Sequence, residues 1–368
     1  MKKFTSTSAA LILIVVLLSG STSCKKHKDE TSSSEANYSN IVYKGTTNLS
    51  QARCYMAGSS AGKKILFAGG FQGPNTDFNT VDIYDIVSGD WSVAHLSEDK
   101  FLLAAVSSGN KVFFGGGFLA GTSTNSKSVD VYDASTGEWS FTELSQARGA
   151  LAAAAAGNLV VFAGGAAGGY SDVVDQYNTS TGHWTTDHLS GARDYLGGVG
   201  SRNKIFFAGG MIGNNIYSKD VDIYDATTGQ WSVSHLSTER DMMTASAAGN
   251  KVLFTGETQD PSLIGLVDIY DMNTSLWTTS LLSAPREGTA SVSVGNLVLF
   301  AGGNHGSIVS DVIDFYNVNT GKWSVAKLSS PRMHITAVVA GDKILFGGGK
   351  TSLNDSDVTA TVDIFQAE

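Results

Sequence analysis

Three carboxylates stand directly after a basic residue in successive copies of an internal repeat: Asp194 after Arg193, Asp241 after Arg240 and Glu287 after Arg286. A fourth, Glu257, replaces the second glycine of a pair that neighbouring copies keep. Brought to one face, these acids make a sector of hydrogen-bond acceptors. Tyr55, Phe101 and His334 follow the basic residue of other copies and would form an opposing sector, with Tyr195, Met242 and His305 among the candidates on the same face. That mixture of acceptors and aromatic rings suits a sugar or a peptide, and it equally reads as a solvated rim.

The comparison between copies is possible because the chain repeats from residue 53 to its end. The phenylalanine ahead of a glycine pair recurs every 45 to 48 residues, at Phe67, Phe114, Phe162, Phe207, Phe254, Phe300 and Phe346. The aspartate of a Val-Asp-Ile-Tyr-Asp pattern keeps step at Asp82, Asp130, Asp175, Asp222, Asp268, Asp314 and Asp363. All six tryptophans, Trp91, Trp139, Trp184, Trp231, Trp277 and Trp323, share one further position, five residues before a leucine. Each copy reads as four short strands separated by turn chemistry, and a period of this length built from strands selects a propeller. With 42 glycines in 368 residues and no long helical pattern, small sheets sharing a continuous core are the architecture that fits.

Glycine pair, Tyr and Trp at these intervals resemble the kelch repeat over essentially the whole of residues 41–368, in copies that start near residues 53, 100, 148, 193, 240, 286 and 332. The resemblance implies an all-β, seven-bladed propeller of four antiparallel strands per blade, with the first strand of each nearest the channel. The last copy lacks a fourth strand and the first is preceded by Ile41-Val42-Tyr43, so the N-terminal strand is expected to complete the last blade. That strand has Lys44 where the others have Trp.

Residues present in every copy read as scaffold. Arg53, Lys100, Arg148, Arg193, Arg240, Arg286 and Arg332 should each cross the glycine pair to meet the aspartate of its own blade, keeping a half-buried carboxylate compensated. His95, His188 and His235 share one position on different blades and cannot meet at a metal. Function is expected where copies differ, above all in the loops Phe71 to Asn79, Phe118 to Ser128, Met211 to Asp220 and Gly349 to Thr361. Kelch proteins generally use that face for ligands and partners.

The N-terminus is a separate object. Lys2 and Lys3 precede an apolar run and then Ser21-Thr22-Ser23-Cys24, which reads as a signal peptide over residues 1–23 and resembles a bacterial lipobox with Ser21 where Leu is usual. Cys24 would carry the lipid, residues 24–40 would be a solvated tether, and membrane contact would run through the anchor alone. Lys25 to Glu30 is similar to the signal that sends some lipoproteins of Bacteroidetes to the outer cell surface. A net charge of -9 without basic clusters argues against nucleic acid.

Two enzymatic readings arise. Galactose oxidase also carries a kelch propeller, and Cys54, Tyr55, His305 and His334 share a face. Bacterial sialic-acid mutarotases resemble kelch propellers as well, and Glu257 with Arg240 is the nearest match to their acid and arginine. No phosphate loop, paired-histidine motif, nucleophile elbow or aspartate box is found in the sequence. The expectation is therefore an outer-membrane lipoprotein without cofactor or metal that binds a glycan or an envelope protein through its loop-rich face, with a carbohydrate-active enzyme as the alternative.

Overall fold

The computed structural model describes residues 36–368 apart from 74, 75, 77, 120 and 123. The signal peptide, Cys24 and the tether as far as residue 35 lie outside the described residues.

Second strands such as Lys64–Ala68 are apolar after their first residue, and successive side chains leave opposite faces of the sheet. Ile65 and Phe67 therefore enter the core shared with the preceding blade, while Leu66 and Ala68 enter the core shared with the next. A sheet that is apolar on both faces must be covered on both, and a ring of sheets covers all of them. The described strands form five separate four-stranded antiparallel sheets, two short two-stranded ones and one larger sheet, in which the 19-residue strand Gln230–Ala248 is outermost in the fourth blade and innermost in the fifth. Seven blades result, and seven apolar cores fill the seams between them. The seam between last and first blades holds Phe67 and Tyr84 against Val338 and Leu345.

Ile41–Asn48 closes the ring by pairing antiparallel with Thr361–Ala367, from Ile41 opposite Ala367 to Asn48 opposite Thr361. The register slips between Tyr43 and Gly45, which leaves Lys44 in the irregularity with its Nζ 2.9 Å from Glu368 Oε1. Tyr43 packs edge-on against Phe365 at 5.4 Å between ring centres. Elsewhere each tryptophan lies 4.9–5.1 Å from the tyrosine of its blade's third strand. Trp91, Trp184, Trp231, Trp277 and Trp323 also donate their indole N–H to the outer strand of the preceding blade, at 2.7–3.1 Å.

The repeated cations do not begin the first strands. Outside the fifth blade, where the strand Gln230–Ala248 runs through Arg240, these start four residues later, as at Ala57 for Arg53 and at Ala152 for Arg148. The cations sit buried at the strand entrance, and every one contacts its blade's aspartate: Arg53–Asp82 at 2.6 Å, Lys100–Asp130 at 2.9 Å, Arg240–Asp268 at 3.3 Å and Arg286–Asp314 at 2.6 Å, together with Arg148–Asp175, Arg193–Asp222 and Arg332–Asp363. The other carboxylate oxygen accepts the N–H of a serine where the chain leaves the preceding blade, as from Ser50 to Asp82 and Ser190 to Asp222, at 2.9–3.2 Å around the ring. The recurring Leu-Ser pair is the trace of this contact in the sequence. One aspartate thus neutralises a buried cation and ties two blades together.

His95, His188 and His235 are exposed on outer strands and meet Asn79, Asp172 and Asp220 of the neighbouring strand at 3.0–3.2 Å. At the face of the hairpins between first and second strands, the chain before the closing strand is pinned to the sixth blade. Asn296 bonds Tyr38 through both its amide groups, Asn317 donates to the Tyr38 carbonyl, and the N–H groups of Ser39 and Asn40 donate to the Glu368 carbonyl. The described chain therefore starts on the face opposite the variable loops.

Candidate functional site

Two residues after each cation the backbone turns into the channel mouth through a left-handed conformation. Tyr55, Leu102, Ala150, Tyr195, Met242 and His334 have φ between 41° and 53°, and Gly288 completes the set at 63°. A residue with a Cβ pays for this conformation, so six of them in register mean that the surrounding structure imposes the turn. Part of that structure is a chain of interblade hydrogen bonds around the mouth: Leu102 N–H to Tyr55 O, Ala150 to Leu102, Tyr195 to Ala150, and Met243 to Tyr195, at 2.9–3.2 Å. These residues enclose a cavity of about 320 Å³ at the mouth, floored by Met56, Leu103, Leu151, Leu196, Met243, Thr289 and Ile335. A second space of about 380 Å³ is lined by glycine, alanine, serine and valine of the innermost strands.

The four acids of the sequence reading come together beside the mouth. Glu257 lies directly across the strand pair from Asp241, because the second strand of the fifth blade, Lys251–Glu257, runs on where the other blades break at their glycine pair. Asp194 and Asp241 are only 8% and 3% exposed, and one oxygen of each has no hydrogen-bond partner. Burial, reinforced by the charge of Asp241, pushes the Asp194 carboxyl up to about 6, and burial pushes Asp241 itself up to about 6. Glu257 is pushed up to about 7 by burial and by the charges of Glu287 and Asp241. Glu287 is raised by burial, with His305 opposing the shift. Tyr217, which the spacing did not single out, stands close enough for Asp241, Glu257 and Glu287 to raise its phenol further after burial. It belongs to the extended hairpin Met211 to Asp220, one of the loops whose variation marked this face.

The folded protein holds these protons more tightly than the unfolded chain, so their stabilising contribution is complete below about pH 4 and is lost as pH rises through 6 to 7. Asp241→Asn removes that loss at one site. The variant is expected to exceed the parent protein by about 1 kcal/mol at pH 8 and to match it near pH 4. Thermal denaturation at the two pH values checks this, and an equal difference at both would contradict it.

Opposite the acids, aromatic rings form a continuous arc. His334 lies 4.6 Å from Tyr55, Tyr55 6.3 Å from Phe71, Phe71 5.3 Å from Phe101 and Phe101 5.5 Å from Phe118. Phe71 and Phe118 each follow a glycine pair and open two of the variable loops that marked this face in the sequence, which did not single out either ring. Gly149 makes room for the end of the arc, since a Cβ there would approach the Phe118 ring to 2.7 Å. His334 is pushed down to about 4 by burial and the nearby charge of Lys350, so it meets Tyr55 as a neutral ring.

Several candidates for chemistry are placed otherwise than the enzymatic readings require. Cys54 is fully buried with Sγ 3.6 Å from the Phe71 carbonyl, and burial pushes its thiol up to about 12, a poor nucleophile or ligand. His305 is exposed on the sixth blade beside Glu287 rather than with Tyr55 and His334. Among the described residues no cluster of His, Cys, Asp and Glu has the geometry of a metal site. Arg240 is enclosed against Asp268 and within 3.5 Å of the Gly256 carbonyl, so it does not stand free beside Glu257.

A family model for the Kelch motif matches residues 52–94 and 192–233, which fall on the first and fourth blades. No curated protein matches the chain.

Proposed function

We propose, for a chain that its motifs and seven blades identify as a kelch-repeat β-propeller, that it is a lipid-anchored binding protein of the outer membrane which takes a glycan at the channel mouth. Kelch propellers generally serve as interaction modules. The observation that carries the ligand class is the mouth itself: a cavity of about 320 Å³ lined by Tyr55, Tyr195 and His334, with an arc of rings running on from Tyr55 and four carboxylates grouped beside it. Ring faces accept the C–H side of a sugar, and carboxylates accept its hydroxyls. The anchor reading rests on the lipobox-like Ser21-Thr22-Ser23-Cys24, and the basic and acidic residues from Lys25 to Glu30 support export to the cell surface. Since the described chain starts on the face opposite the cavity, a protein held through Cys24 can turn its mouth outward.

The test is a glycan array probed with the full-length protein. Binding to saccharides is expected, weakened at least tenfold by Tyr195→Ala and by Phe101→Ala, a loss of about 1.4 kcal/mol or more. No saccharide bound, together with recovery of one envelope protein in pull-down, would replace the glycan by a protein partner. Glu257, poised near neutral pH, favours turnover as the second reading, and a changed sugar recovered from the incubation would establish it. Cys24→Ser should move the protein from the membrane to the soluble fraction.

A further inference from the structure

The seven left-handed residues around the mouth are not equivalent. Six carry side chains, and the sixth blade alone has glycine, Gly288. A Cβ on Gly288 would meet nothing closer than Asn304 Oδ1 at 3.4 Å and His334 Cε1 at 3.7 Å, so packing does not demand the gap. Nor does the backbone, because the other six positions hold the same turn with Tyr, Leu, Ala, Met and His. The hydrogen-bonded ring opens at the same place. It runs from Tyr55 to Met243, and among the described residues no backbone bond carries it on through Gly288 and His334. Beneath the gap lies Thr289, a residue of the cavity floor that is 9% exposed and whose hydroxyl has no partner.

We infer that this notch seats the terminal residue of the glycan and selects a neutral, hydroxyl-rich one against acidic sugars, an inference that rests on the binding reading above. Acceptors dominate its surroundings: Glu287 next in the chain, Asn304 across from it, and Glu257 and Asp241 of the fifth blade, coupled to Glu287 and to each other. The unpartnered Thr289 hydroxyl can complete a hydrogen bond to a sugar that enters there. A ligand carboxylate would meet several acids with only His305, beside Glu287, to offset them among the described residues, because Arg240 and Arg286 are held by Asp268 and Asp314, and Lys350 by Asp355. Like charges brought together at a desolvated site exclude the wrong ligand.

Gly288→Leu copies the residue that Leu102 already provides at this position of the second blade, and Gly288→Ala copies Ala150. With the full-length protein, Gly288→Leu is expected to fold with a melting temperature lowered only slightly by the left-handed turn and to lose at least tenfold in affinity for the neutral glycans of the array, and Gly288→Ala to lose less. The parent protein is expected to prefer neutral glycans at least tenfold over counterparts ending in a uronate, and Glu257→Gln with Glu287→Gln to narrow that preference. Unchanged binding by a folded Gly288→Leu, or a preference for uronates, overturns the notch and leaves glycan binding standing. If Gly288→Leu does not fold, full affinity in Gly288→Ala together with no preference between the glycans overturns it. A parent protein that binds no saccharide removes the reading and the notch together.

Discussion

Asp222→Ala is expected to destabilise the protein by about 3–5 kcal/mol, because it strands a buried cation. Arg193 is fully enclosed and, among the described residues, reaches Asp222 as its sole charged partner within salt-bridge distance, while its Nε has no hydrogen-bond partner among them. The same carboxylate accepts the N–H and the hydroxyl of Ser190 from the third blade, at 2.9 and 3.1 Å. The substitution therefore leaves a guanidinium, a backbone amide and a hydroxyl without their acceptor and loosens the seam between two blades. Alanine for Ser190 removes only the hydroxyl contact and should cost about 1 kcal/mol. Pairing Asp222→Leu with Arg193→Met removes both charges and should recover much of the loss, since burying an ion pair gains little over an apolar pair of similar size. Denaturant midpoints for the three variants separate the cases. A loss no larger for Asp222→Ala than for Ser190→Ala would show that the ring of ion pairs does not hold the blades.

Removal of residues 36–48 is expected to abolish the sharp unfolding transition altogether. Thr361–Ala367 would then become an unpaired sheet edge, and Phe365 and Ala367 would lose Ile41 from their shared core. Leu49, 4% exposed in the seam between seventh and first blades, would remain but without the strand that places it; removing that side chain alone should cost about 2–5 kcal/mol. The larger effect is topological. A closed ring has no terminal blade, whereas an opened one can fray from both ends, so its unfolding becomes gradual. Fluorescence from the six tryptophans, each at a blade seam, follows this directly. A synthetic peptide of residues 36–50 should restore the sharp transition. A truncated protein that unfolds as steeply as the parent would mean that the seven seams suffice without closure.

The repeat made the architecture readable before any coordinate. Seven copies of one pattern report the same local physics again and again: an apolar second strand and a cation and an aspartate that need each other in all seven, a turn at Gly-Gly in all but the fifth, and a tryptophan at a blade seam in six. The closing strand was legible too, because a missing segment at one end matched a surplus at the other. Its irregularity at Lys44 showed in the sequence as the one fourth strand without tryptophan.

The site was legible only in part. Asp194, Asp241, Glu257 and Glu287 stood out as departures from a pattern, and departures fall where a scaffold leaves residues free. Phe71, Phe118, Tyr217 and Thr289 gave no such sign. Phe71 and Phe118 join an arc through contacts with neighbours far along the chain, and Tyr217 is defined by charges on two other blades. Gly288 was one glycine among 42 until six other residues were seen to share its left-handed turn. A repeating sequence encodes each blade through local propensity and alternation, which act within a few residues. Burial, charge coupling and the opening of a hydrogen-bonded ring depend on which blades meet around the axis, and closure of the ring alone brings those groups together.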